Sequence, residues 1–370
     1  MSLPKIRPEL LDPKLFRPDW TKSSFRKDSQ LWLDKNENSD HVYIQFLKNI
    51  MIDVCQNDIN NYPDCSLLYD KLSRHLNVES LNLLLAAGSD GIIKQAFETF
   101  VSSGDAVIYT DPTFAMYSVY SDIFGARSYK ISYKKSMTGI FLDVELLLKT
   151  IYDVKPTLIC LPNPDSPTGT LIHDEQLIPI IEAAYQVNSA ILIDEAYYPF
   201  SEYTILPLIN RYPNLIVMRT FSKAWGLAGA RVGYAVSNIE LISYMHKARP
   251  MYELGAISVA VALRVLDYEN EMQSSVKRLN DGKNYFRIEM NKLGFKTLIS
   301  EGNFQHVAFG IKADLIHAAL NDIVLYRKDF PGTALEGYSR FSATTQSCFE
   351  RIVQAIKSTI QHDRLIANIG

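Results

Sequence analysis

Cysteine is scarce, four residues in 370, and no two form a CxxC pair. Cys55, Cys65, Cys160 and Cys348 are widely spread, which excludes a disulfide framework or a thiolate zinc site and reads as reduced, mostly buried thiols. The seven histidines are equally scattered, with none at a metal-ligand spacing. No charge of one sign dominates: 38 Lys and Arg stand against 41 Asp and Glu, for a formal net charge of −3. Without an extended basic stripe, nucleic acid and acidic membrane surfaces are excluded as main partners. No apolar run approaches a membrane span, and the opening MSLPKIRPEL lacks the apolar centre of a signal peptide, so a cytoplasmic protein is expected. GxGxxG and GxSxG are both missing, which argues against a nicotinamide enzyme and a hydrolase.

What is present is a 47% hydrophobic chain, enough to fill a sizeable core. Residues 1–35, rich in Pro, Lys, Arg and Asp at first, read as an N-terminal arm laid over a surface. From about residue 80, short apolar runs alternate with amphipathic stretches: AVIY (106–109), TLICL (157–161), AILI (190–193) and LIVM (215–218). Runs apolar at every position predict strands covered on both faces. With helical stretches such as EQLIPIIEAAYQ (175–186) between them, they predict an α/β fold, a mostly parallel sheet between helices, over 36–240. A smaller α+β domain is expected over 241–370, from a helical region (258–294), HVAFGI (306–311) and a closing helix (348–361).

Ligands of open parallel sheets bind beyond the carboxyl ends of the strands, and the unusual residues fall there. Gly88, Ser89, Asp90 and Gly91 make a small-residue turn opening a helix, an anion site or simply an N-cap. Asp194 ends a buried run, where an unpaired carboxylate is costly; a protonated pyridine nitrogen would pair with it, though a strand-end cap is the plain alternative. Tyr197, three residues on, could donate to a ring phenolate. Ser222 and Lys223 follow another buried run, with Arg231 eight residues later, a set suited to a Schiff-base amine and a phosphate. Phe114 follows a strand and could stack on a flat ring, or be core. The turn PNPDSPTG (162–169) is rigid and sets polar side chains over the strand ends.

Taken in order, NNYPD (60–64), PNPDSPTG (162–169), DEAY (194–197) and FSKAWGLAGARVGY (221–234) resemble the fold-type I pyridoxal-phosphate enzymes. The resemblance is to class I/II aminotransferases of the histidinol-phosphate aminotransferase branch, from LWLDKNEN (31–38) to SRFSATTQ (339–346). It implies pyridoxal 5′-phosphate as cofactor, with Lys223 as the Schiff-base lysine that shuttles protons. Asp194 then pairs with the pyridine nitrogen, Tyr197 touches the phenolic oxygen and Phe114 stacks on the ring. Ser89, Asp90, Ser222 and Arg231 hold the phosphate. Tyr62 matches a tyrosine given to the neighbouring subunit's phosphate site, which implies a homodimer. Arg340 and Arg327 match arginines that hold the substrate's anionic groups, and Asn36 stands with them in NENSD (36–40).

Departures touch the substrate more than the cofactor. Ser166 replaces the asparagine usual before Pro-Thr-Gly, and Asn163 is expected to take part of its role. NENSD lacks the proline of Asn-Glu-Asn-Pro, and Trp20 is the nearest match to a Pro-Tyr element near the amino terminus. The expected reaction moves an amino group between a donor such as glutamate and a small anionic, phosphorylated or carboxylated keto compound. The alternatives are a decarboxylase of a phosphorylated amino acid, which would share the cofactor site, and a non-catalytic binding protein on the same fold.

Overall fold

The apolar runs lie side by side in one sheet. A computed structural model describes residues 4–15, 26–54, 60–136 and 139–367; Cys55 and Trp20 lie outside the described residues. Among those residues the strands run, in chain order, β1 (Leu31–Trp32), β2 (Leu83–Ala87), β3 (Ala106–Asp111), β4 (Arg127–Ser132), β5 (Lys134–Lys135), β6 (Ile140–Phe141) and β7 (Leu158–Pro162). They continue with β8 (Ala190–Asp194), β9 (Leu215–Thr220), β10 (Val232–Ser237), β11 (Lys296–Leu298), β12 (Phe304–Ala308), β13 (Val324–Leu325) and β14 (Ser339–Ser342).

The large sheet has seven strands in the order β2-β10-β9-β8-β7-β3-β4. Pairings from β4 through β9 are parallel, and β10 alone runs against its neighbours. Every residue of β7, β8 and β9 is buried, and alternation divides them between two cores. Ile159, Leu161, Ile191, Ile193 and Val217 meet the helix Asp174–Gln186 through Leu177, Ile180 and Ile181. Leu158, Cys160, Leu192, Ile216 and Met218 pack on the opposite side with Ile92, Ile93, Ala96 and Phe97 of the helix Gly88–Phe100. Two apolar faces explain why the runs lack a polar position. Register sets Pro162 beside Asp194 and Asp194 beside Met218, aligning the strand ends that form the site.

The C-terminal third builds a separate core. Sheet β11-β12-β14 packs with the helix Gln346–Ala367 and the far half of the helix Glu269–Lys292, through Phe286, Met290, Phe341, Phe349 and Ile352. The near half of that helix sends Met272, Val276 and Leu279 into the sheet core instead. The region 258–294 is thus not one helix: Ala256–Val265 and Glu269–Lys292 meet at a single 3-10 turn, Leu266–Tyr268.

The start of the chain divides as well. Arg7 donates to the Ile123 carbonyl at 2.8 Å, laying residues near it along the helix Met116–Ile123. Leu31 and Trp32 instead pair in parallel with Val324 and Leu325. No helix among the described residues is long and apolar enough to cross a membrane. Of the described cysteines, all free, Cys160 is buried while Cys65 and Cys348 are partly exposed, fewer buried thiols than expected.

Candidate active site

One cavity opens at the carboxyl ends of β7, β8 and β9. Ser89, Asp90, Phe114, Ser166, Asp194, Tyr197, Ser222, Lys223 and Arg231 all line it. Residues scattered over more than 140 positions of sequence therefore meet because parallel strands end at one level.

Asp194 is 5% exposed. Its carboxylate accepts from the Tyr117 hydroxyl at 2.7 Å and from the Ala196 N–H at 2.9 Å. Burial pushes its pKa up to about 6, against those two hydrogen bonds and the charge of Lys223. A buried acid so perturbed is suited to a cationic partner, which would restore the charged form. Tyr117 was not singled out from the sequence, although it lies one helical turn beyond Phe114. That spacing is the signal that could have found it.

Lys223 is half-buried. Its Nζ donates to the Lys35 carbonyl at 2.9 Å and stands 5.9 Å from the centre of the Tyr197 ring. The Tyr197 hydroxyl accepts from Asn36 Nδ2 at 2.9 Å, which leaves its own proton free to point elsewhere. Asn36 is itself held on three sides: Ser342 Oγ donates to its Oδ1, its N–H donates to that same hydroxyl, and Asn303 donates to its carbonyl. The proline missing from NENSD is not needed to fix it. Asn36 adopts φ +57°, a left-handed conformation asparagine tolerates well.

Ser222 and Arg231 share the cavity with Lys223 and Tyr197. Among the described residues Ser222 Oγ is buried without a partner, and Arg231 donates to the Ala87 carbonyl alone, at 3.4 Å. Gly88, at φ +75°, lies so close that a Cβ there would sit 2.5 Å from Arg231 Nη2. A Cβ on Gly233 would fall 2.4 Å from both the Gly88 carbonyl carbon and the Ser89 nitrogen. The two glycines let β10, Arg231 and the first turn of the helix Gly88–Phe100 close on one point, with backbone N–H groups facing it. An orphaned hydroxyl, an arginine and a helix start fit a phosphate group, and the buried Asp194 fits a pyridinium, so the cavity fits pyridoxal phosphate. Phe114, 41% exposed, flanks the opening edge-on to Tyr117.

Besides Asn36, which reaches the cavity only through Tyr197, four predicted residues lie outside its lining. Asn163 is a correction: its amide donates to the Ile172 carbonyl and accepts from the Ile172 N–H, at 2.9 and 2.8 Å. One amide N–H and the amide oxygen thus brace the segment after the Pro-Thr-Gly turn, and the side chain, fully buried, does not line the cavity where the asparagine that Ser166 replaces is expected to act. Tyr62 is 77% exposed and stacks on Tyr252 at 4.2 Å, on the surface. Arg340 and Arg327 are brought together by a backbone bridge between β14 and the segment after β13. Arg340 donates to the Asp34 carbonyl at 3.0 Å and Arg327 to that of Asp329 at 2.9 Å. Arg340 lies over Phe304, which meets Tyr197 of the cavity lining edge-on at 5.4 Å, so one phenyl ring separates the arginine from the cavity wall. Among the described residues neither arginine pairs with a carboxylate.

Known proteins resemble this chain in sequence and in fold. Residues 28–356 match the family described as aminotransferase class I and II. Histidinol-phosphate aminotransferase of Caldanaerobacter subterraneus is 34% identical over 331 residues, 89% of this chain and 92% of that protein. The corresponding enzyme of Carboxydothermus hydrogenoformans is 32% identical over 85% of this chain and 89% of its own length. Among solved structures, histidinol-phosphate aminotransferase of Clostridium acetobutylicum superposes with a TM-score of 0.78 at 21% identity, covering 90% of this chain and 99% of that one. That of Sinorhizobium meliloti, solved with pyridoxal 5′-phosphate, gives 0.76 at 24% identity, covering 90% and 91%. Strand-end geometry, a fitting cavity and relatives matched along nearly their whole length lead to one assignment: the chain belongs to the class I and II aminotransferases, in their histidinol-phosphate aminotransferase-like branch.

Proposed function

We propose that this aminotransferase carries an amino group from glutamate to a small phosphorylated keto compound of the kind related to histidinol phosphate, with pyridoxal phosphate held in the cavity described. The observation that carries the reading is the meeting of Lys223, Asp194, Ser222 and Arg231 in one cavity beside Gly88, with two arginines joined by a backbone bridge that pair with no carboxylate among the described residues. Bound pyridoxal phosphate supplies an electron sink for the charge that develops at the substrate's Cα.

Asp194 holds the pyridine nitrogen in its protonated form by presenting a buried carboxylate. Tyr197, its oxygen taken by Asn36, donates to the ring oxygen. Ser222, Arg231 and the N–H groups of Ser89 and Asp90 would hold the phosphate, with Ser166 on the same cavity lining. Lys223 Nζ holds the cofactor and moves the proton at the substrate's Cα. Phe114, on the cavity lining, would cover a face of the ring and keep water from it. Arg340 binds the carboxylate of the amino donor, and Arg327 adds charge for a second anionic group.

Tyr62, Tyr252, Met251 and Leu67 form an exposed apolar patch that supports a homodimer in which Tyr62 completes the partner's phosphate site. Free thiols suit a reducing compartment, and we place the enzyme in the cytoplasm. We set the lobe boundary inside the helix Glu269–Lys292, where its side chains pass from one core to the other, with residues 26–35 on the small-lobe side.

The test is amino transfer from glutamate to phosphorylated keto acceptors, read as 2-oxoglutarate formed. Release of carbon dioxide from phosphoserine or phosphothreonine with no keto acid present would sink the transferase reading in favour of a lyase.

A further inference from the structure

β12 and β14 set His306 directly opposite Arg340 in an antiparallel pair, so the two side chains leave the sheet on one face as neighbours. Two phenyl rings border both. The guanidinium carbon of Arg340 lies 5.3 Å from the centre of Phe304 and 5.7 Å from that of Phe330; the imidazole lies 5.4 and 6.2 Å from the same rings.

Inside this aromatic box the polar accounting does not close. Among the described residues, both ring nitrogens of the fully buried His306 lack a hydrogen-bond partner, and so does the buried Nε of Arg340. Three orphaned nitrogens on two adjacent residues are unusual, because buried polar groups are nearly always paired. An apolar residue would fill the position of His306 without that cost. Burial, reinforced by the Arg340 charge, lowers the histidine's pKa to about 3, so its ring is neutral and offers one donor and one acceptor. One ring nitrogen faces the Pro167 carbonyl, beyond hydrogen-bond geometry. Pro167 follows Ser166, on the cavity wall.

We propose that His306 is a positioning residue for Arg340: its N–H closes on the Pro167 carbonyl while its lone pair takes the Nε–H of Arg340, aiming the arginine's terminal nitrogens at the carboxylate of the bound substrate. The inference rests on the reading of Arg340 as the substrate arginine. A guanidinium fixed at Nε keeps its two-pronged edge free for a carboxylate, whereas one held only by the Asp34 carbonyl and two ring faces can rotate. The imidazole also ties the arginine to the turn that carries Ser166, so that the substrate and cofactor walls keep a fixed spacing.

The experiment uses the full-length, cofactor-loaded enzyme with glutamate as donor, comparing H306L, H306Q and R340K. Loss of a charge-assisted hydrogen bond predicts that H306L raises KM for glutamate about ten- to a hundredfold with kcat changed less than about threefold. The cofactor's visible absorbance should stay as in the parent. H306Q, which keeps a donor and an acceptor at similar reach, should restore most of the affinity. If H306L binds glutamate like the parent while R340K does not, Arg340 acts without His306 and the inference is overturned. If R340K also leaves KM unchanged, the reading of Arg340 itself fails, and the inference with it. A measurement on the unaltered chain guards against a variant that does not fold. In ¹⁵N-histidine spectra, glutarate should shift one nitrogen of His306 toward a hydrogen-bonded acceptor, and no shift would equally overturn the proposal.

Discussion

The two ends of the site are held by different means. At the Lys223 end, Asp194 ends a strand, Gly88 begins a helix and Ser222 stands two residues beyond the end of β9, and the sheet register that places them is buried in two cores. At the Arg340 end, two guanidinium groups rise from a bridge beside a three-stranded sheet and rest on phenyl faces and single carbonyls. Moving a group at the first end means moving backbone. At the second, an arginine can turn about its own side chain without disturbing the fold. Such a division suits one fixed cofactor and exchanging substrates, since an aminotransferase must admit a donor and then an acceptor of different shape.

Lys223→Ala breaks the comparison most severely if it is wrong. Removing the group that moves the proton should lower turnover by at least about a thousandfold, read as 2-oxoglutarate formed, with the melting temperature of the cofactor-free protein unchanged. Residual turnover near that of the parent would mean that the fixed end of the site lies elsewhere.

Gly233→Ala tests whether that end is rigid. Its Cβ would meet backbone atoms of Gly88 and Ser89, not the far end of a flexible side chain. Urea unfolding should show a loss of about 3 kcal/mol, and phosphate-dependent cofactor binding should weaken in parallel. A neutral result would show that β10 and the helix start can slide apart.

Asp194→Asn has a smaller effect, with a defined pH dependence. The folded pKa, about 6, lies above the ordinary value of 3.8. Between the two the folded protein holds more protons than the unfolded chain, so stability of the cofactor-free protein falls as pH rises from 4 to 6 and stays low above that. Asparagine removes this loss, and the variant without cofactor should be more stable than the parent at pH 7 by on the order of 2 kcal/mol, with no difference at pH 4. Thermal melts across that range decide the matter. A parent whose stability is flat from pH 4 to 7 would show that Asp194 is already compensated.

The same contrast governs what could be read from the chain alone. The fixed end was legible because its residues follow directly on apolar runs, so Asp194, Ser222 and Lys223 could be assigned to strand ends by counting. Tyr117 was passed over because its partner is 77 residues away and only the register of β3, β7 and β8 brings them together. Asn163 illustrates the converse: its amide bonds the backbone of Ile172, nine residues on, a local pairing that residue type and position do not reveal. His306 carried no signal, since a histidine in HVAFGI is unremarkable until the β12–β14 pairing sets it against Arg340. The division of the helical region 258–294 between two cores was hidden too, because both halves are amphipathic and periodicity does not reveal which core a face meets.

Arg327→Ala probes the adaptable end and should have the smallest consequence. The side chain is exposed, its Nε is satisfied by the Asp329 carbonyl, and its guanidinium lies 5.3 Å from the centre of Phe330. Truncation therefore orphans no buried group, and folding stability should change by less than about 0.5 kcal/mol. What remains is one exposed charge near a second anionic group, and losing it should weaken phosphorylated substrates about tenfold while leaving glutamate within about twofold. Raising salt should shrink the difference between parent and variant, since an exposed charge is screened and a buried one is not. Equal losses for glutamate and for phosphorylated compounds would mean that Arg327 serves Arg340 through their shared backbone bridge, and the two arginines would then have to be treated as one unit.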